Sequence, residues 1–122
     1  MEIRVIWGMI HLILHFLIPI SVALLFYKNR WKYASAIMIV TMMVDIDHLL
    51  AEPIYDPMRC SINFHPLHST EAILAYVLLF LIPIAIKERP IRKEIKKRLD
   101  LIHYLGLGLL IHMALDAIDC MY

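Results

Sequence analysis

An all-α, four-helix transmembrane bundle is the fold class this sequence predicts, and three observations carry that prediction. Hydrophobic residues fill 61% of 122 positions and mean hydropathy is +0.72, too apolar for a domain whose surface faces water. Four apolar runs, at about 5–27, 33–50, 70–86 and 101–120, each approach the roughly 20 residues that a helix needs to cross a bilayer. Ten of the twelve Lys and Arg residues crowd into two of the three connectors, as the positive-inside rule requires of cytoplasmic loops.

The first run carries two histidines and lacks a small-residue cleavage site, so it is expected to be a retained span and not a signal peptide. Lys28, Arg30 and Lys32 follow it and place the first connector in the cytoplasm. The second run ends on Asp45, Asp47 and His48, with Pro53 close behind to favour local unwinding. The connector over 51–69 holds one Arg and no Lys and is expected to face outward, as are both termini. In it, Pro66 biases His65 to an extended backbone, and Ser69 or Thr70 is positioned to cap the third helix. The basic stretch over 87–98 returns the chain to the cytoplasmic side before the fourth run. All of this forms one domain. The net charge of +1, without a basic stripe interleaved with aromatics, excludes nucleic acid as a partner and leaves the lipid bilayer.

Six of the seven histidines fall in four short clusters with the aspartates: His11-x3-His15, Asp45-x-Asp47-His48, His65-x2-His68 and His112-x3-Asp116. Ionisable groups at membrane depth are costly and are retained for an ion, a proton or a substrate. The predicted topology brings all four clusters to the outer side. His11 and His15, like His112 and Asp116, stand four residues apart and share a helix face, as do Asp45 and His48 at three. Asp47 falls about 200° from Asp45 on an α-helix, so it serves a second metal, hydrogen-bonds a ligating imidazole, or sits where the helix unwinds. Pro19 removes the amide that would bond the His15 carbonyl. His103, about 13 Å along the fourth helix from His112, is expected to be an interfacial residue near Asp100 and not a ligand.

Imidazoles and carboxylates without thiolates suit zinc, with iron or manganese as alternatives, and nine donors exceed the needs of one tetrahedral ion. Met38, Met42 and Met43 read as packing or lipid-facing residues, not a copper site. Two or more zinc ions beside an aqueous mouth equip a site for hydrolysis of a phosphoester. Asp47 or Glu71 is then the candidate general base and Arg59 the cation that orients a phosphate. Cys60 and Cys120, both on the outer side, are expected to pair, against the alternative of two buried thiols. A non-catalytic metal-binding or metal-transporting protein and a di-iron membrane oxygenase are the competing classes.

The order of these motifs resembles the small bacterial membrane-bound hydrolases predicted to be metal-dependent, a group that includes LexA-regulated inner-membrane hydrolases. The stretch Asp56-Pro57-Met58-Arg59-Cys60-Ser61-Ile62-Asn63-Phe64-His65-Pro66-Leu67-His68-Ser69 and the later Ile118-Asp119-Cys120 resemble, more closely, a bacterial membrane family of this size. More distantly the pattern is similar to the zinc-dependent phospholipase C and single-strand nuclease superfamily. The resemblance spans essentially the whole chain. It implies an inner-membrane protein with an outward-facing zinc cluster, His11, Asp45, His48, His112 and Asp116 among its ligands, and a phospholipid headgroup or phosphodiester as substrate.

Overall fold

In a computed structural model the described residues are 3–52 and 59–121. Pro53, invoked for unwinding, and Asp56, Pro57 and Met58 of the outer-loop motif lie outside them. Among the described residues the chain is all-helical, with four segments long and apolar enough to cross a membrane. Helix α1 runs Ile3–Phe26, a short 3-10 turn over Lys28–Arg30 leads into α2 at Trp31–Val40, α3 is Thr70–Lys87 and α4 is Lys93–Asp119.

Two boundaries differ from the sequence expectation. Helix α4 begins two turns earlier than the apolar run, because Lys, Glu and Arg are good helix formers and continue the helix beyond the hydrocarbon. At 27 residues it spans about 40 Å, against a hydrocarbon core of about 30 Å. Its Asp100 pairs with Lys87 at 2.7 Å and Arg30 at 2.9 Å, tying three elements together at the basic end.

The second difference concerns the second span, which is α-helical only to Val40 and continues as a 3-10 helix over Thr41–Leu50. Ten residues is long for this conformation, which uncommonly exceeds three or four. Three residues per turn set a burial period of three: Thr41, Val44 and Asp47 are buried, whereas Met43, Ile46 and Leu49 are exposed. The Thr41 hydroxyl donates to the Met38 carbonyl at the changeover, a side-chain bond that competes with the α-helical ladder.

Helix α4 packs against each of the other three. Two glycines permit its closest approaches: a Cβ on Gly106 would lie 2.5 Å from the Phe80 backbone nitrogen, and one on Gly108 would lie 2.7 Å from Met38 Cα. Apolar clusters form around Met38, Ala23, Ala34 and Tyr104, and around Val44, Tyr76 and Met113. Met38 is fully buried and Met43 is exposed, in keeping with packing and lipid-facing roles. The interior is nonetheless rich in polar groups: among the described residues eight buried polar or charged side chains stand beside eight buried hydrophobic ones, apart from prolines and glycines. Leucines such as Leu12, Leu17, Leu74 and Leu78 lie on the outside, the arrangement expected where the solvent is hydrocarbon.

Candidate metal centre

Six of the eight buried polar residues among those described, His15, Asp47, His65, His68, His112 and Asp116, gather at one end of the bundle. The Ser69 hydroxyl accepts from the Ala72 amide and caps α3, and Asn63, at φ 63°, accepts from both the amide and hydroxyl of Thr70. His65 is extended, as Pro66 predicts, and a 3-10 turn over Pro66–His68 directs His68 into the bundle. Tyr76 holds this turn by donating its hydroxyl to the Leu67 carbonyl at 2.7 Å. A disulfide joins Cys60 to Cys120, with Cα atoms 5.0 Å apart, and fastens the loop to the end of α4 as expected.

All nine residues foreseen as ligands fall into three donor groups: Asp45, His68, His112 and Asp116; His11, His15 and Asp116; and Asp47, His48 and His65. In the first, His68 Nε2 lies 3.2 Å from Asp45 Oδ1, 3.0 Å from Asp116 Oδ2 and 3.4 Å from His112 Nε2. His112 Nε2 lies 2.9 Å from Asp45 Oδ1 and 3.2 Å from Asp116 Oδ2. A tetrahedral ion with ligand bonds of about 2.0–2.1 Å needs donors about 3.3–3.4 Å apart, close to these five edges.

Hydrogen bonds orient the imidazoles. Asp47 Oδ2 accepts from the Leu67 amide at 2.9 Å and from His68 Nδ1 at 2.8 Å, which aims His68 Nε2 into the group. Of the three roles open to Asp47, the hydrogen bond to an imidazole is present, made where the helix has changed pitch, and its other oxygen belongs to the group with His48 and His65. His15 Nδ1 donates to the His11 carbonyl at 2.8 Å, so its Nε2 also faces inward. That Nε2 and His112 Nδ1 are buried with no hydrogen-bond partner among the described residues, a costly state for polar atoms. Convergent electron pairs with an orphaned imidazole nitrogen among them fit a cation.

The third group is looser. His48 Nδ1 donates to the Asp45 carbonyl and lies 3.1 Å from Asp47 Oδ1, its Nε2 is 3.4 Å from Ser61 Oγ, and its ring stacks on His65 at 3.8 Å. Burial and the neighbouring His48 push His65 below the ordinary imidazole value, which keeps its electron pair available. For His68 burial opposes ionisation, but the carboxylates of Asp116, Asp45 and Asp47 outweigh it and raise the pKa to about 10. Metal-free His68 is therefore protonated at neutral pH, and its ion pairs contribute stability that is present below about pH 6.5 and lost through about pH 10. A metal held by His68 Nε2 would have to displace that proton, so affinity for zinc is expected to rise by at least about tenfold per pH unit between 7 and 9, with proton release seen as a buffer-dependent enthalpy in calorimetry. An affinity independent of pH would contradict this arrangement.

Glu71 lies exposed in the first turn of α3 and Arg59 places its guanidinium 4.5 Å over the Phe64 ring; neither belongs to the three donor groups. His103 is likewise outside them. Its Nδ1 donates to the Phe80 carbonyl and its Nε2 accepts from the Tyr27 hydroxyl at 2.6 Å, a link between α3, α4 and the residue that follows α1. Sequence reasoning missed the Leu67 amide, which no side-chain pattern announces, and Asp119, whose place three residues after Asp116 was a usable signal.

With this geometry in view, the residues matched by a known family are 5–91, and that family is DUF6122, a family of unknown function. The chain belongs to DUF6122. Neither a curated protein nor a solved structure matches it. The DUF6122 match takes in His11, His15, Asp45, Asp47, His48, His65 and His68, and α4 adds His112 and Asp116 from outside it.

Proposed function

We propose that this protein is a membrane-embedded, metal-dependent hydrolase with a polynuclear zinc site that acts on a phosphoester, such as a phospholipid headgroup. The observation that carries this reading is the Asp45, His68, His112 and Asp116 group, whose donor spacings match a tetrahedral ion and whose His68 is oriented by Asp47. Zinc supplies a Lewis acid that polarises a phosphoryl oxygen and brings the pKa of a coordinated water to about 7. Asp47, engaged by Leu67, His68 and His48, holds the imidazoles in position. Glu71, at the exposed start of α3, is the proton acceptor, and Arg59 orients the phosphate from the loop. The resemblance to predicted membrane-bound hydrolases and the placement of the group at the membrane boundary support the headgroup as substrate.

The site faces the extracytoplasmic side of the inner membrane in this reading. A disulfide beside the donors and the basic residues at the opposite end support that orientation. A cysteine at Glu52 is expected to react with an impermeant thiol reagent in intact cells and one at Asn29 to be protected; the reverse labelling would overturn it.

Metal content of the untagged, detergent-purified chain by elemental mass spectrometry is the primary test. Two or more zinc ions per chain are expected, followed by phosphodiester or phospholipid turnover that a chelator removes. Absence of metal after reconstitution would end the proposal, and bound iron would redirect it to oxygen chemistry.

A further inference from the structure

We infer that His11, His15 and Asp116 hold a second cation, joined to the first through the two oxygens of Asp116, and that this second position is the open one, where an anionic phosphate-type oxygen coordinates. The inference rests on the metal-dependent reading above and assigns what that reading leaves undivided.

Asp116 is shared between two groups by different atoms. Its Oδ1 lies 2.9 Å from His11 Nε2 and 3.3 Å from His15 Nε2, while its Oδ2 lies 3.0 Å from His68 Nε2 and 3.2 Å from His112 Nε2. A carboxylate with a histidine pair on each oxygen has the form of a bridge between two ions. The nitrogen that demands the second ion is His15 Nε2. The His15 side chain is only 3% exposed, and this atom has no hydrogen-bond partner among the described residues. Because Nδ1 spends its hydrogen on the His11 carbonyl, Nε2 presents an unshared pair directly to a carboxylate oxygen. Two such pairs face each other favourably only with a proton or a metal cation between them, and the three convergent donors favour the metal.

The two positions differ in what they leave open. Asp45, His68, His112 and Asp116 complete a tetrahedron, which is the form of a closed site. His11, His15 and Asp116 supply three protein donors, and a three-donor zinc keeps its fourth position for water or substrate. Each position has one donor at the rim, His11 at 26% and Asp45 at 40% side-chain exposure, so donor number and not accessibility assigns the open position. His11 Nδ1 in turn lies 3.9 Å from the exposed Asp119 carboxylate, which sets the ring from the rim. The direct donors bring two negative charges, from Asp45 and Asp116, against the four positive charges of two divalent ions; Asp47 and Asp119 stand one imidazole further out, so an anionic oxygen can serve as the last donor.

The test uses the full chain in detergent. Wild type is expected to bind about two zinc ions, His15→Ala and His11→Ala about one each, and His103→Ala two. Loaded with manganese(II), wild type should give an exchange-coupled paramagnetic spectrum that becomes an isolated-ion signal in either variant. Loaded with cobalt(II), wild type should shift its visible absorption on addition of inorganic phosphate, and the variants should not. One ion in wild type, unchanged in folded His11→Ala, overturns the second site and the polynuclear part of the proposed function, and leaves a mononuclear metal-dependent hydrolase standing. Loss of both ions from the two variants while their thermal melts match wild type overturns the division into two positions. Two ions without a phosphate response overturn the open position, and a wild type without metal overturns this inference and the proposed function together.

Discussion

Asp116→Asn is expected to empty the site more completely than any other single substitution. The change conserves side-chain volume and removes the charge that four imidazoles face: those of His11 and His15 at one oxygen, those of His68 and His112 at the other. An amide offers one neutral oxygen where a carboxylate offers two, so one donor group loses its oxygen outright and the other keeps only a weak, uncharged one. Bound zinc should fall to background after dialysis, while the helical circular dichroism in detergent stays intact. Asp47→Asn makes the useful contrast. It leaves all four donors of the first group and both histidines of the second, and weakens the orientation of His68 and the looser third group, so a drop of roughly 10- to 100-fold in zinc affinity is expected and not a complete loss. Equal effects of the two substitutions would mean that Asp116 is one more hydrogen-bond partner in a polar core, without a bridging role.

Gly106→Val is expected to damage the fold itself. A Cβ at this position meets the Phe80 backbone nitrogen at 2.5 Å and the Leu79 carbonyl carbon at 2.8 Å. Backbone atoms cannot rotate aside as a side chain would, so α4 must move off α3. Overpacking of this kind costs up to about 3 kcal/mol, or roughly 10 °C in the midpoint of thermal unfolding for a chain this size. Because α4 carries His112 and Asp116, displacement should also lower zinc content. Leu78→Ala, on the lipid-facing side of α3 where Leu78 is 55% exposed, is expected to leave both the midpoint and the metal nearly unchanged. A Gly106→Val protein as stable as wild type would mean that the close approach of α3 and α4 is not needed.

Much of the site is legible in the residues because its motifs are local. Spacings of three and four on a helix determine which side chains share a face, and charge asymmetry between connectors determines which helix ends meet; together they bring His11, His15, Asp45, His48, His112 and Asp116 to one end without any coordinates. The four spans follow from hydropathy for the same reason, since a bilayer demands about 20 apolar residues wherever a helix crosses. Asp47 resisted that reasoning. On an α-helix it points away from Asp45, and its place in the site depends on the 3-10 pitch over Thr41–Leu50, which buries it in line with Thr41 and Val44. Nothing in the residues 41–50 compels that pitch; α4 presses there through Gly108, within reach of Met38 and Thr41.

The amino-acid sequence by itself determined the class of fold, the number of spans, the donor types and their convergence, because each depends on composition or on short-range periodicity. Only the tertiary structure decided the partition of the donors into groups, the sharing of Asp116 by two histidine pairs and the orphaned nitrogen of His15. Those properties depend on the rotation of each helix about its axis, which packing across the bundle sets and no local spacing contains.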